Sequence, residues 1–181
     1  MARISQVIVL AEDTRHQRLI YRYLDRFSLQ RVTRFEPPPS GRGCGEQWVR
    51  ERYANSVRAF RKRHADTALI VVIDAHAGDM NRRVRQLESA LSGAQLSVRI
   101  AEEKIVHLIP RRNVETWILN LKGDRVDEET DFRRAPEIDD LIDAAAQTLF
   151  EWTRPNTAIP PHCVPSLRAA IPEIKRLESA Q

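Results

Sequence analysis

The chain is poor in cysteine, with only Cys44 and Cys163 in 181 residues. Two distant cysteines exclude a disulfide framework and the paired ligand spacing of a structural zinc site, so both are expected as free thiols. Long apolar runs are also missing. The longest, residues 7–11 and 68–73, fall far short of the roughly 20 residues that span a bilayer. The opening residues lack the pattern of a secretory leader, so a cytoplasmic protein with no membrane role is expected. No internal repeat or low-complexity tract interrupts the chain. Aromatic residues are only 6% of it, and Trp48, Trp117 and Trp152 read as packing residues, not as platforms for stacked bases.

What is present excludes disorder. Hydrophobic residues make up 42% and charged residues 30%, enough apolar side chain for one core of ordinary domain size. The net charge of +4 hides a gradient. Residues 15–63 hold 13 Lys or Arg against 4 Asp or Glu, whereas residues 111–181 hold 10 against 13. The basic half is where a polyanion is expected.

Hydropathy switches repeatedly between strand and helix periods. Residues 4–11 read as a strand, and Leu19, Ile20, Tyr23, Leu24 and Phe27 as the inward face of a helix. Residues 29–35 suit a second strand. The proline- and glycine-rich stretch 37–45 is a loop. Residues 46–63 follow as an amphipathic helix, 68–73 as a buried strand, 79–91 as a helix and 104–109 as a strand closed by Pro110. Alternation of this kind predicts an α/β fold with a mainly parallel central sheet, flanking helices and a helical C-terminal extension. Residues 1–122 form the α/β unit on this reading. Residues 123–181 supply an acidic loop and helices, at 138–150 and 166–177, packed on the same domain.

Parallel strands gather their carboxyl ends on one edge, where ligands bind in open α/β sheets. Glu12, Asp74 with Asp79, and Glu115 all fall there. Converging carboxylates need a counter-charge, and Mg²⁺ or Mn²⁺ supplies it through oxygen ligands. Taken singly, Glu12, Asp13 and Asp79 are equally well placed to cap the following helices. Arg15, Arg18, Arg22 and Arg26 line one side of the first helix, a stripe suited to phosphates. Arg42 lies in the loop Gly41-Arg42-Gly43-Cys44-Gly45, which lacks the Lys-Ser/Thr ending of a nucleotide P-loop. Arg111 and Arg112 offer charge to a phosphoryl transition state, or else pair with the acidic loop 124–131. His16, His64, His107 and His162 show no metal-ligand spacing.

The order strand, Glu12, helix, strand, helix, strand, Asp74-Ala75-His76 resembles the Toprim domain of topoisomerases, primases and several nucleases. The segment Ile109-Pro110-Arg111-Arg112-Asn113-Val114-Glu115-Thr116-Trp117 is similar to a Glu-x-Trp stretch of small, defence-associated Toprim-like proteins. The resemblance covers residues 4–121. It implies a metal-dependent nuclease in which Glu12 is a general acid/base or metal ligand, Asp74 holds the metal and Glu115 is an extra ligand. It also implies a separate ATPase partner, for which the acidic residues 124–143 are the candidate contact.

The chain departs from that pattern at His76, where the family has a second aspartate. An imidazole can ligate a divalent ion but carries one negative charge less and favours softer metals. Asp79 is the residue expected to restore the charge. The departure keeps a second reading open, a degenerate module that binds nucleic acid or a partner protein without cutting. A third is a phosphoacceptor receiver domain, with Glu12-Asp13 as its acidic pair and Asp74 as its aspartate. Its expected Lys-Pro is replaced by Ile109-Pro110-Arg111.

Overall fold

A computed structural model describes residues 4–36, 45–63 and 66–177. Four strands, β1 (Gln6–Ala11), β2 (Thr33–Phe35), β3 (Thr67–Val72) and β4 (Ile105–Leu108), form one parallel sheet in the order β2-β1-β3-β4. β1 and β3 run in register from Gln6 opposite Thr67 to Ala11 opposite Val72. Leu69 to Val72 face Ile105 to Leu108 in the same manner. The two apolar runs therefore make the centre of the sheet, where both faces are covered and alternation of polarity has no use.

Side chains along each strand point alternately to the two faces. Val7, Val9, Ile70, Val72, Val106 and Leu108 meet α1 (Thr14–Asp25), α4 (Val114–Lys122), α5 (Ile138–Thr153) and α6 (Pro165–Lys175) in one core. Ile8, Leu10, Leu69, Val71, Ile73 and Ile105 meet α2 (Glu46–Arg61) and α3 (Met80–Gly93) in the other. Residues beyond 122 share the first core with α1 and β1. Tyr23 of α1 and Phe27, just beyond its end, pack edge to face, and Phe27 meets Phe150 of α5 in the same way.

Two elements differ from the sequence reading. The expected strand 29–35 keeps only Thr33–Phe35, because residues 30–32 close a 3₁₀ turn. The stretch after Pro110 contains a whole helix, α4, capped at its start by the Asn113 side chain and stopped by Gly123 at φ 109°. Trp117 is fully buried on α4 and donates to Ser166 Oγ at 2.6 Å, and Trp152 is buried in the same core. No helix of the described residues is long and apolar enough to cross a membrane.

Candidate metal centre

β1 and β3 are adjacent and in register, so the residues that follow them arrive side by side. Glu12 closes β1, and its Oε2 accepts the backbone N–H of Asp74 at 2.9 Å. Beyond Asp74 the chain turns through His76 and Ala77, at φ 52° and 62°. Left-handed backbone at two successive non-glycine residues is costly and persists only where the surroundings fix it. Here the carbonyls of Pro110 and Arg111 accept the N–H groups of Ala75 and Ala77, each at 2.8 Å. Gly78 closes the turn, and a Cβ there would lie 2.8 Å from the Ala75 carbonyl oxygen. The turn carries His76 back over β1, where its Nε2 meets Glu12 Oε1 at 3.1 Å.

Glu12, Asp74 and His76 each bring one ligand atom to within 4.8 Å of the others. Glu12 and Asp74 are buried, whereas the His76 side chain is 40% exposed, so the cluster opens to solvent on the histidine side. Burial pushes the Glu12 carboxyl up, but hydrogen bonds from His76 and from the Asp74 N–H outweigh it and hold it below its usual value. The same Glu12 hydrogen bond raises His76. Two carboxylates and an imidazole suit a divalent ion of intermediate softness, Mn²⁺ ahead of Mg²⁺. The imidazole must be neutral to ligate, so an ion there would displace the proton that Glu12 favours.

A residue that the sequence reading set aside completes the centre. His16 of α1 is wholly buried, with Nε2 2.9 Å from Asp74 Oδ1 and Nδ1 2.8 Å from Asp13 Oδ1. Both ring nitrogens face carboxylate oxygens, an arrangement satisfied only when both donate, as in the imidazolium. Burial opposes that charge, yet Asp74 and Asp13 raise the His16 pKa well above its ordinary value. Burial also raises Asp74, with His16 working against it. Asp13 is itself the N-cap of α1, accepting from the backbone N–H groups of Arg15 and His16. It is held down to about 2, burial notwithstanding, by His16 and those N–H groups. The spacing Asp13-x-x-His16 was a visible sign of a carboxylate and an imidazole one turn apart. The third member, Asp74, is 58 residues away and left no local trace.

Other expected site residues stand elsewhere. Asp79 caps α3 through the Asn81 N–H at 2.9 Å and lies 3.4 Å from Arg85, outside the cluster. It does not restore the charge that His76 lacks, because the cap turns the carboxylate toward its own helix. Glu115 is buried but is claimed by Arg15 at 2.7 Å, so it serves as counter-ion. Arg18 reaches Asp139 at 2.8 Å and Arg22 reaches Asp143 at 2.9 Å, both acids on α5. The arginine stripe thus faces an acidic helix of the same chain along most of its length. Arg26, just past the end of α1, is exposed with no ion pair among the described residues. Arg111 pairs with Glu129 at 2.5 Å and Arg112 lies 3.5 Å from Asp131. Arg42, Cys44 and His64 lie outside the described residues.

No family model, curated protein or solved structure matches the chain, so its chemistry has to be argued from this geometry.

Proposed function

We propose that the protein is a divalent-metal-dependent phosphodiester hydrolase acting on nucleic acid, with a Toprim-like arrangement of its α/β fold. The observation that carries this reading is the convergence of Glu12, Asp74 and His76 within 4.8 Å at the carboxyl edge of the parallel sheet. A divalent ion held there supplies Lewis-acid polarisation of a phosphate ester and acidifies water. Glu12, Asp74 and His76 would hold it. Glu12 Oε1, which faces His76 Nε2 at 3.1 Å beside the open side of the cluster, is the group placed to accept a proton during attack. His16 and the Asp74 N–H fix the orientation of the two carboxylates, so neither reorganises when substrate arrives.

The binding-only alternative draws on one observation: Glu12 and His76 already satisfy each other, and among the described residues no third carboxylate joins the cluster. A phosphoacceptor role for Asp74 fits less well. Its side chain is 6% exposed and one oxygen is committed to His16, which closes the approach that a phosphodonor needs. Of the acidic residues that the resemblance offers to an ATPase, Glu129, Asp131, Asp139 and Asp143 pair with the chain's own arginines, and no observation favours such a partner, so the proposal is limited to the hydrolase.

The test is Mn²⁺ binding by calorimetry together with cleavage of single- and double-stranded DNA and RNA. Glu12→Gln and Asp74→Asn are expected to lose both binding and cleavage while remaining folded. Cleavage that survives both substitutions, or Mn²⁺ binding by the parent without cleavage of any substrate, overturns the hydrolase reading; the second outcome favours the binding module.

A further inference from the structure

A pocket of about 260 Å³ lies against the open side of the metal cluster, with His76 as the shared wall. Gly78, Arg82, Arg83 and Gln86 line it together with Glu46 of α2. α3 begins beside it, with its N-terminus already capped by the Asp79 carboxylate.

Two acids line the pocket, and each has its own cations. Glu46 is held by Arg50 at 3.2 Å and by Arg83, and Asp79 is met by Arg85. Arg83 is 94% buried by its side chain and still carries an Nε–H with no partner. A buried guanidinium with spare donor capacity is costly, and Arg83 shares the feature with Arg50, Arg112 and Arg176; of these four, Arg83 is the one that lines this pocket. Arg82 is exposed on the same wall and makes no hydrogen bond or ion pair among the described residues. The positive charge left over at this edge is therefore concentrated where His76 opens to solvent.

We propose that this pocket is a phosphate subsite: it takes the backbone phosphate next to the one presented to Glu12, Asp74 and His76, with Arg82 gripping it. The assignment rests on the hydrolase reading and specifies its substrate as a chain with consecutive phosphates, not a phosphomonoester. Arg82 suits the role because a guanidinium meets two phosphate oxygens at once. Arg83, locked by Glu46 and Gln86, holds the wall in place. The shared His76 makes the two sites neighbours, as two phosphates of one strand are.

The experiment uses the whole protein in EDTA, titrated separately with inorganic phosphate by calorimetry and with a short single-stranded oligonucleotide by fluorescence anisotropy. Arg82→Ala is expected to weaken both by about tenfold or more, the range for a lost charge-assisted hydrogen bond. Arg82→Lys should recover part of the loss, and Mn²⁺ binding without nucleic acid should be unchanged in both variants. Equal binding of both probes by Arg82→Ala and parent overturns the subsite. Binding of inorganic phosphate without the oligonucleotide overturns the neighbouring-phosphate assignment. If the parent binds no Mn²⁺ but Arg82→Ala still loses the oligonucleotide, the subsite stands and the hydrolase reading fails.

Discussion

Replacing His16 by Gln removes a buried cation while keeping a donor that can reach Asp74. Asp74 is 6% exposed by its side chain and His16 not at all, so solvent does not substitute for the lost charge. Breaking a buried pair by removing one partner costs about 3–5 kcal/mol. The upper limit is set by protonation, because Asp74 can become neutral instead of remaining an unpaired anion. At pH 7 that escape costs about 4 kcal/mol, roughly 3 pH units at 1.36 kcal/mol each. The expected destabilisation is therefore about 3–4 kcal/mol, or about 6–16 °C in Tm for a chain of this size. Asp13 adds little to the figure, since its side chain is 49% exposed and water can replace the imidazolium there.

A double-mutant cycle separates this pairing from simple packing. Asp74→Asn alone leaves His16 beside Asp13, and the imidazole can shed its proton, so its cost should be nearer 1–2 kcal/mol, roughly that of a lost charged hydrogen bond. His16→Gln with Asp74→Asn places two neutral amides in contact. The double variant should be more stable than the two single losses predict, with a coupling of about 2 kcal/mol or more. Urea unfolding at pH 7 in EDTA, followed by circular dichroism, measures all four corners. A His16→Gln variant within about 1 kcal/mol of the parent, or strictly additive losses, would refute the buried ion pair.

His107 and Gly78 give two further tests. Burial holds the His107 pKa well below its ordinary value, so below pH 6.5 the unfolded chain binds a proton that the fold refuses. Stability should fall by about 1 kcal/mol from pH 6.5 to 5.5 relative to His107→Gln, the slope approaching about 1.4 kcal/mol per pH unit only at lower pH, and parallel urea curves for the two proteins would exclude it. At Gly78 a methyl group would sit 2.8 Å from the Ala75 carbonyl oxygen, so Gly78→Ala should cost about 1–3 kcal/mol and weaken Mn²⁺ binding by displacing His76. Calorimetry showing undiminished Mn²⁺ affinity would mean that the turn does not position the histidine.

The sheet and its site edge were legible because their signals are local. Residues 68–73 form an unbroken apolar run that only a doubly covered strand accommodates, and β3 occupies Thr67–Val72. Glu12 and Asp74 were placed at one edge by element order alone, and the register of β1 with β3 brings them together. α4 leaves a weak helical signal even though Asn113 and Gly123 mark its ends, because seven of its nine residues are buried and no polar face sets off an apolar one. His16 was illegible for a different reason. Its partners lie on α1 and after β3, and no spacing rule relates a helix residue to a strand end 58 residues later.

The arginine stripe meets its first anions within the chain itself. Arg15, Arg18 and Arg22 share a helix face, and like charges so arranged require an anion. α5 provides one through Asp139 and Asp143, one turn apart. Exposed pairs of this type contribute little stability each. Their consequence is for the field of the protein, since the basic and acidic halves of the sequence cancel across α1, α4 and α5. Arg111 with Glu129 and Arg112 with Asp131 extend the cancellation over the β4 to α4 connection. An anionic substrate steered by charge therefore has little reason to approach over α1. The cluster opens past His76, its exposed member, and Arg82 stands beside it with no ion pair among the described residues.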